Sequence, residues 1–228
     1  MVRIQSIEEA RMEADKIKPT LFIISVSAVF SVETIIHIAH PNSMYPPLVV
    51  IGATRVMEML LIVGIILIRG ERLAIVGLEP SGLLSGAWKG LVWSAVFGLA
   101  VAIVGSGLIL FGIKPIALIK VRLPDKSHEL FFFFLVGGMV GPMAEELFFR
   151  GIIYGYFRRW GVLTAVFVSA LLFSLAHFVM SGAFFIQMIG GIVFAAAYER
   201  EKCLLVPVVI HVLGNLAIFS LSLSRFPA

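Results

Sequence analysis

Residues 130–157 read LFFFFLVGGMVGPMAEELFFRGIIYGYF, and the fold follows from how this run is explained. It carries three charges, Glu145, Glu146 and Arg150, in an otherwise apolar stretch longer than the ~20 residues that cross the hydrocarbon core of a bilayer. A soluble core helix has no use for that length, so the run reads as a membrane span with ionisable residues inside it. Six further apolar segments surround it, running from about Thr20 to Ala39, Pro47 to Ile68, Gly90 to Ile113, Val162 to Met180, Phe184 to Tyr198 and Leu204 to Leu223. The expected fold is all-α, a polytopic integral membrane helix bundle of about seven transmembrane helices, with six to eight as the range that boundaries from one sequence allow. The segment from Phe184 to Tyr198 is the shortest and is expected to tilt, re-enter or be extended by its neighbours.

The rest of the 228 residues agrees: 60% are hydrophobic and 14% charged, against roughly 45–50% and about 25% in a soluble domain. With a mean hydropathy of +1.03, these values exclude intrinsic disorder, a nucleic-acid-binding domain and a disulfide-framed secreted domain. The excess of 18 Lys and Arg over 14 Asp and Glu then belongs to loops retained on the cytoplasmic side. With the amino terminus inside, the inner segments hold Arg3, Arg11, Lys16, Lys18, Arg69, Arg72, Lys89, Arg158, Arg159, Arg200 and Lys202. The outer loops near Pro41 and Ser181 hold none, and Lys114, Lys120, Arg122 and Lys126 are the exception. A multi-pass protein with a cytoplasmic amino terminus is expected. Residues 1–18 are too polar for a cleaved signal peptide. Ile4, Ile7, Ala10, Ala14 and Ile17 fall at helical spacing there, so this cytosolic amphipathic leader lies either on the membrane surface or against its own protein. Residues 19–228 are expected to form one transmembrane domain with a motif-bearing core from about 130 to 223. The single Cys203 can form no internal disulfide and reads as a buried thiol before an acylation site.

An ionisable side chain in hydrocarbon costs several kcal/mol, so each one inside a span needs a partner or a task. Three clusters stand out: Glu145, Glu146 and Arg150 in AEELFFRG, His177 in FSLAHF, and His211 with Asn215 in HVLGN. Glu146 and Arg150 stand at i, i+4 and can pair, leaving Glu145, about 100° around the helix, to face a cavity. His211 and Asn215 repeat that spacing and can aim at one object, and Phe173 lies one turn before His177, where its ring can orient the imidazole. A rise of about 1.5 Å per residue places Arg150 and His211 on the order of 10 Å deep, Glu145 and Asn215 on the order of 17 Å and His177 on the order of 24 Å. Three helices can enclose such a layer. Pro142, preceded by Gly137, Gly138 and Gly141, is expected to kink the helix and make room for water. Glu33 with His37 and Arg55 with Glu58 read as local pairs that lower the cost of burial, and Gly151 with Gly155 as a close helix contact within the chain.

A glutamate can deprotonate a water that attacks a carbonyl, a histidine can pass that proton to the leaving amine, and an amide can stabilise the oxyanion. Peptide hydrolysis fits these residues best. Asp15 and Asp125 lie outside the spans, which removes a paired-aspartate protease; Cys203 has no partner at usable spacing, and neither Gly-x-Ser-x-Gly nor His-Glu-x-x-His occurs. A zinc-dependent variant with Glu145, Glu146, His177 and His211 as ligands is the enzymatic alternative. From another class, an immunity, scaffold or transport protein could use the same polar layer without catalysis.

In their order and spacing, Glu145-Glu146-x-x-x-Arg150, Phe173-x-x-x-His177 and His211-x-x-x-Asn215 resemble the CAAX protease and bacteriocin-processing family of intramembrane glutamic endopeptidases, which includes the Ras-converting type of CAAX prenyl protease. The resemblance covers roughly Leu130 to the end of the sequence. It implies that Glu145 and His177 activate the water, that His211 and Asn215 form the oxyanion hole, and that Glu146 and Arg150 shape the site. It implies neither a metal nor a cofactor. The partners it implies are membrane lipids and a peptide or protein substrate, lipidated in some relatives and cut near its carboxy-terminal end. Oligomeric state and the identity of the substrate do not follow from it.

Overall fold

The computed structural model describes residues 17–39, 45–181 and 184–223. The leader expected over residues 1–18 lies outside them except for Ile17 and Lys18. Among the described residues the regular structure is helical throughout. Helices α1 (Pro19–Ala39) and α2 (Pro47–Ile68) each begin at a proline, whose missing N–H costs nothing in a first turn. Then come α3 (Leu83–Leu110), the short α4 (Pro115–Ile119), the motif helix α5 (Ser127–Trp160), α6 (Val162–Ser181), α7 (Phe184–Glu201) and α8 (Leu205–Leu223). Each of the seven apolar segments read from the sequence is thus a helix of a membrane bundle. Five of them are long and apolar enough to cross a bilayer; α6 offers a shorter apolar run, Val162–His177, and α7 ends in the charged turn Glu199, Arg200 and Glu201.

Helix α5 is not uniformly wound. It is π-helical over Val136–Val140, α-helical over Gly141–Glu146 and π-helical again over Leu147–Tyr154. The first departure sits where the sequence places Pro142, and its cause is local. Gly141 donates its N–H to the carbonyl of Val136, five residues back. The next such bond, from residue 142 to Gly137, cannot form, because proline has no N–H. The expected kink is therefore realised as a change of winding that leaves the Gly137 carbonyl without its helical donor.

Glycines set how closely the other helices approach α5 and each other. A Cβ on Gly52 of α2 would lie 2.8 Å from Val136, and one on Gly138 would lie 2.7 Å from Leu216 of α8. The α3–α8 seam closes in the same way at Gly90, where a Cβ would meet Val209 at 2.7 Å and the Val206 carbonyl at 3.2 Å. Gly151 and Gly155 make contacts within the chain, against Val76 and Ile17. Ile17 is fully buried there, against Gly155 of α5. Outward-facing Val96, Leu99, Ile103 and Leu110 leave α3 with an apolar surface suited to lipid.

The end of the bundle richest in Lys and Arg is held by ion pairs. Glu199 accepts hydrogen bonds from Arg158 at 2.9 and 3.0 Å and from the Tyr154 hydroxyl at 2.6 Å, and Lys202 lies 2.9 Å away. Glu201 accepts from the Trp93 indole and pairs with Lys89 of α3. In between, Gly77 adopts φ +75 and passes so close to Tyr198 and the backbone at Leu204 that a side chain is excluded on both counts. Its carbonyl accepts the Leu204 N–H at 3.0 Å, joining this turn to the start of α8.

Replacing Gly90 by Leu should separate α3 from α8 and destabilise the fold by about 1–3 kcal/mol, as overpacking does. Gly98→Leu on the same helix, where a Cβ would have no atom within 4 Å, should leave the apparent melting temperature in detergent unchanged or slightly raised. Equal melting temperatures for the two variants would contradict this packing.

Candidate active site

The centre of the bundle is organised by a charge pair fully removed from solvent. Arg150 and Glu146 both have 0% exposure, and the Arg150 Nη1 donates to Glu146 Oε1 at 2.9 Å. The guanidinium donates through Nη2 to the Gly191 carbonyl of α7 at 3.1 Å and lies 4.6 Å over the Phe173 ring and 5.2 Å over Phe194. The same Glu146 oxygen is met by His211 Nδ1 at 2.8 Å. Helix α5 thus holds α7 and α8 by charged hydrogen bonds and α6 by a ring contact.

Glu145 points elsewhere, as the 100° step between adjacent helical residues requires. Its Oε2 lies 3.5 Å from His177 Nε2 and 3.7 Å from His211 Nε2, and its side chain is 20% exposed. Each ring is anchored through its other nitrogen. His177 Nδ1 lies 2.9 Å from the Phe173 carbonyl, and His211 Nδ1 faces Glu146. A carbonyl and an ionised carboxylate only accept hydrogen bonds, so Nδ1 carries the proton in both rings and Nε2 is turned toward Glu145. Phe173 packs on His177 at 4.4 Å, and Phe194 stacks on His211 at 4.8 Å.

Asn215 is engaged differently from the expectation that it and His211 aim at one object. Its Nδ2 donates to the Gly137 carbonyl at 2.9 Å, the acceptor that Pro142 leaves without a helical donor. A second difference concerns depth. Heights counted along straight helices separate His177 from His211 by more than about 10 Å, yet both approach one oxygen of Glu145. Tilted helices and the altered winding of α5 account for the meeting.

Residues with no sequence signal complete the site. Gly191 contributes a backbone carbonyl and Phe194 a ring, neither of which belongs to a motif. Of the two local pairs read from the sequence in α1 and α2, Arg55 with Glu58 is present, while Glu33 is engaged across helices. Arg55 Nη1 lies 2.6 Å from Glu58 Oε2 and 2.7 Å from Glu33 Oε1, so Glu33 pairs across helices with Arg55 and His37 is exposed.

Residues 127–217 match the model of the type II CAAX prenyl endopeptidase Rce1-like family, the family type that the three motifs resemble. Among curated proteins the chain is 33% identical over 105 residues to the membrane-embedded CAAX protease MroQ of Staphylococcus aureus, covering 42% of this chain and 40% of MroQ. It is 30% identical over 82 residues to YdiL of Bacillus subtilis, named as a candidate membrane peptidase, covering 36% of this chain and 33% of YdiL. It is 30% identical over 95 residues to the UPF0177 protein YbdJ of Lactococcus lactis, covering 42% and 39%. The matches thus span about two fifths or less of the relatives' own lengths. No solved structure matches the chain.

Removing Arg150 alone should leave Glu146 as an uncompensated buried charge. Arg150→Met is expected to destabilise by about 3–5 kcal/mol, whereas Glu146→Leu combined with Arg150→Met should recover much of that loss. Unfolding in detergent monitored for the single and double variants checks this; a double variant no more stable than the single one contradicts the pairing.

Proposed function

We propose that the chain is a member of this family and acts as an intramembrane glutamic endopeptidase, hydrolysing a peptide bond near the carboxy-terminal end of a membrane-associated substrate. The observation that carries the reading is the division of labour between adjacent carboxylates. Glu146 is occupied by Arg150 and His211, while Glu145 stands between two imidazole Nε2 atoms in a half-buried position. A carboxylate so placed can hold a water and take its proton as the oxygen attacks the carbonyl carbon. His177 Nε2, 3.5 Å from the same carboxylate oxygen, can carry that proton to the nitrogen of the leaving amine as the C–N bond breaks. The products are a carboxylate and an amine, with one water consumed.

The developing oxyanion is assigned to His211 and Asn215. His211 has its Nδ1 proton engaged by Glu146, so it donates from Nε2 only as an imidazolium. Asn215 has two amide protons, one of them held by Gly137, and offers the other. The amino terminus is placed in the cytoplasm on the distribution of Lys and Arg. The partners in this reading are membrane lipids and a peptide or protein substrate, with lipidation of the substrate left to experiment.

In proteoliposomes, Glu145→Ala and His177→Ala should each lower kcat/KM for a cleaved peptide by on the order of 10²–10⁴-fold, the range for loss of general acid–base catalysis. Asn215→Ala should cost roughly 10²–10³-fold in kcat. Cleavage retained by purified Glu145→Ala sinks the glutamic mechanism. Activity lost on chelation and restored by stoichiometric zinc supports the metal-dependent alternative, and a biological activity untouched by Glu145→Gln supports the non-catalytic one.

A further inference from the structure

The connection between α3 and α5, residues 111–126, reads FGIKPIALIKVRLPDK and holds Lys114, Lys120, Arg122 and Lys126 against one acidic residue, Asp125. It lies at the far end of the bundle from Arg158, since α5 starts at this connection and runs to Trp160. Its basic residues are the exception to the distribution of Lys and Arg along the rest of the chain.

The segment is folded back and held. Gly112 at φ +75 ends α3, and Ile113 donates its N–H to the Leu108 carbonyl at 3.0 Å, which reverses the chain. The short α4 then packs beside α3 and not beyond it: a Cβ on Gly105, five residues before the end of α3, would lie 3.8 Å from Pro115. At a rise of about 1.5 Å per residue, that contact is about 7 Å inside the helix end. Farther on, the Val121 N–H donates to Ser222 Oγ at 3.1 Å and ties the connection to the last turn of α8.

Two features of this segment conflict in any uniform solvent. Phe111, Ile113 and Leu118 are 85%, 45% and 56% exposed, an apolar surface that water penalises. Lys114, Lys120 and Arg122 are exposed as well and have no carboxylate partner among the described residues, while Glu129 is engaged by Lys126. Hydrocarbon penalises such charges. The boundary between acyl chains and headgroups accepts both kinds of side chain, because long cationic side chains reach the phosphates while apolar ones turn to the acyl chains.

We propose that residues 111–126 lie along the membrane–water boundary and bind anionic phospholipid, with Ile113 and Leu118 at the acyl chains and Lys114, Lys120 and Arg122 on lipid phosphates. A zwitterionic headgroup brings its own cation with each phosphate, so a cluster of uncompensated cations selects lipid of net negative charge. An acidic protein segment would neutralise the same cations but leave Ile113 and Leu118 in water. This surface uses no residue of the candidate active site and does not depend on hydrolysis.

The test places a reporter on the segment of the full chain. Cys203→Ser removes the only native thiol, and Leu118→Cys carries an environment-sensitive fluorophore into phosphatidylcholine nanodiscs. Quenching is measured with equal small amounts of phosphatidylglycerol or phosphatidylcholine, each spin-labelled near the headgroup end of an acyl chain, and with aqueous iodide. The phosphatidylglycerol form should quench roughly twofold or more above the phosphatidylcholine form, with iodide ineffective. High salt should reduce that preference. Lys114→Gln, Lys120→Gln and Arg122→Gln should each lower it in part and together bring the two lipids to equality. Equal quenching by both lipids with the three cations intact overturns anionic selection, and a preference unchanged in the triple variant overturns the assignment to these side chains. Strong iodide quenching with neither lipid effective puts the segment in water and overturns the membrane contact; relief of that quenching by an acidic peptide would give the surface to a protein partner instead.

Discussion

The Glu146–Arg150 pair is the constraint from which the arrangement of the other helices follows. Two charges with no exposure, inside a bundle whose surroundings are hydrocarbon, need counterparts, and Glu146 Oε1 and both Arg150 Nη atoms find them. The counterparts are distributed over the fold: the Gly191 carbonyl and Phe194 ring from α7, the Phe173 ring from α6 and the His211 imidazole from α8. Each helix that satisfies the pair is positioned by doing so. The pair also decides what its neighbour can do, because an α5 surface committed to Arg150 at Glu146 must turn Glu145 to the adjacent face, where the two Nε2 atoms meet it.

The altered winding of α5 serves the same centre through the backbone. Pro142 deprives the Gly137 carbonyl of a donor, and a bare carbonyl inside a membrane protein demands one. Asn215 supplies it from α8, one turn beyond His211. Helix α8 is therefore tied to α5 twice, once through an imidazole and a carboxylate and once through an amide and a carbonyl. Gly138 makes the second tie geometrically possible, since a side chain there would meet Leu216. A proline three residues before the first glutamate thus acts at a distance, by creating an acceptor that only a neighbouring helix can fill.

Much of this was legible in the sequence because helices repeat regularly. An i, i+4 spacing on an apolar run fixes which side chains share a face, so the Glu146–Arg150 contact, the separate direction of Glu145 and the packing of Phe173 on His177 could be read from residue numbers alone. The bounds of the apolar segments were legible for the same reason. What depends on neighbouring helices was not. The partner of Glu33 is Arg55 on another helix rather than His37 on its own, and no spacing rule reaches across a loop. Gly191 acts through its carbonyl, which every residue possesses, and so leaves no mark in the sequence. Depths counted along straight axes placed His177 and His211 in one layer but did not show how closely they converge, because tilt is set by packing.

The protonation pattern ties these points together. Both histidines have Nδ1 fixed by an acceptor that belongs to the scaffold, the Phe173 carbonyl for His177 and the Glu146 carboxylate for His211. Neither Nδ1 can release its proton without breaking a contact that also positions a helix. In the proposed mechanism, proton movement is therefore confined to the two Nε2 atoms and the Glu145 carboxylate between them. The two rings differ in the charge of their anchors. A carboxylate stands behind His211 and a neutral carbonyl behind His177. Two chemically identical side chains facing one carboxylate are thus made unequal by what stands behind them.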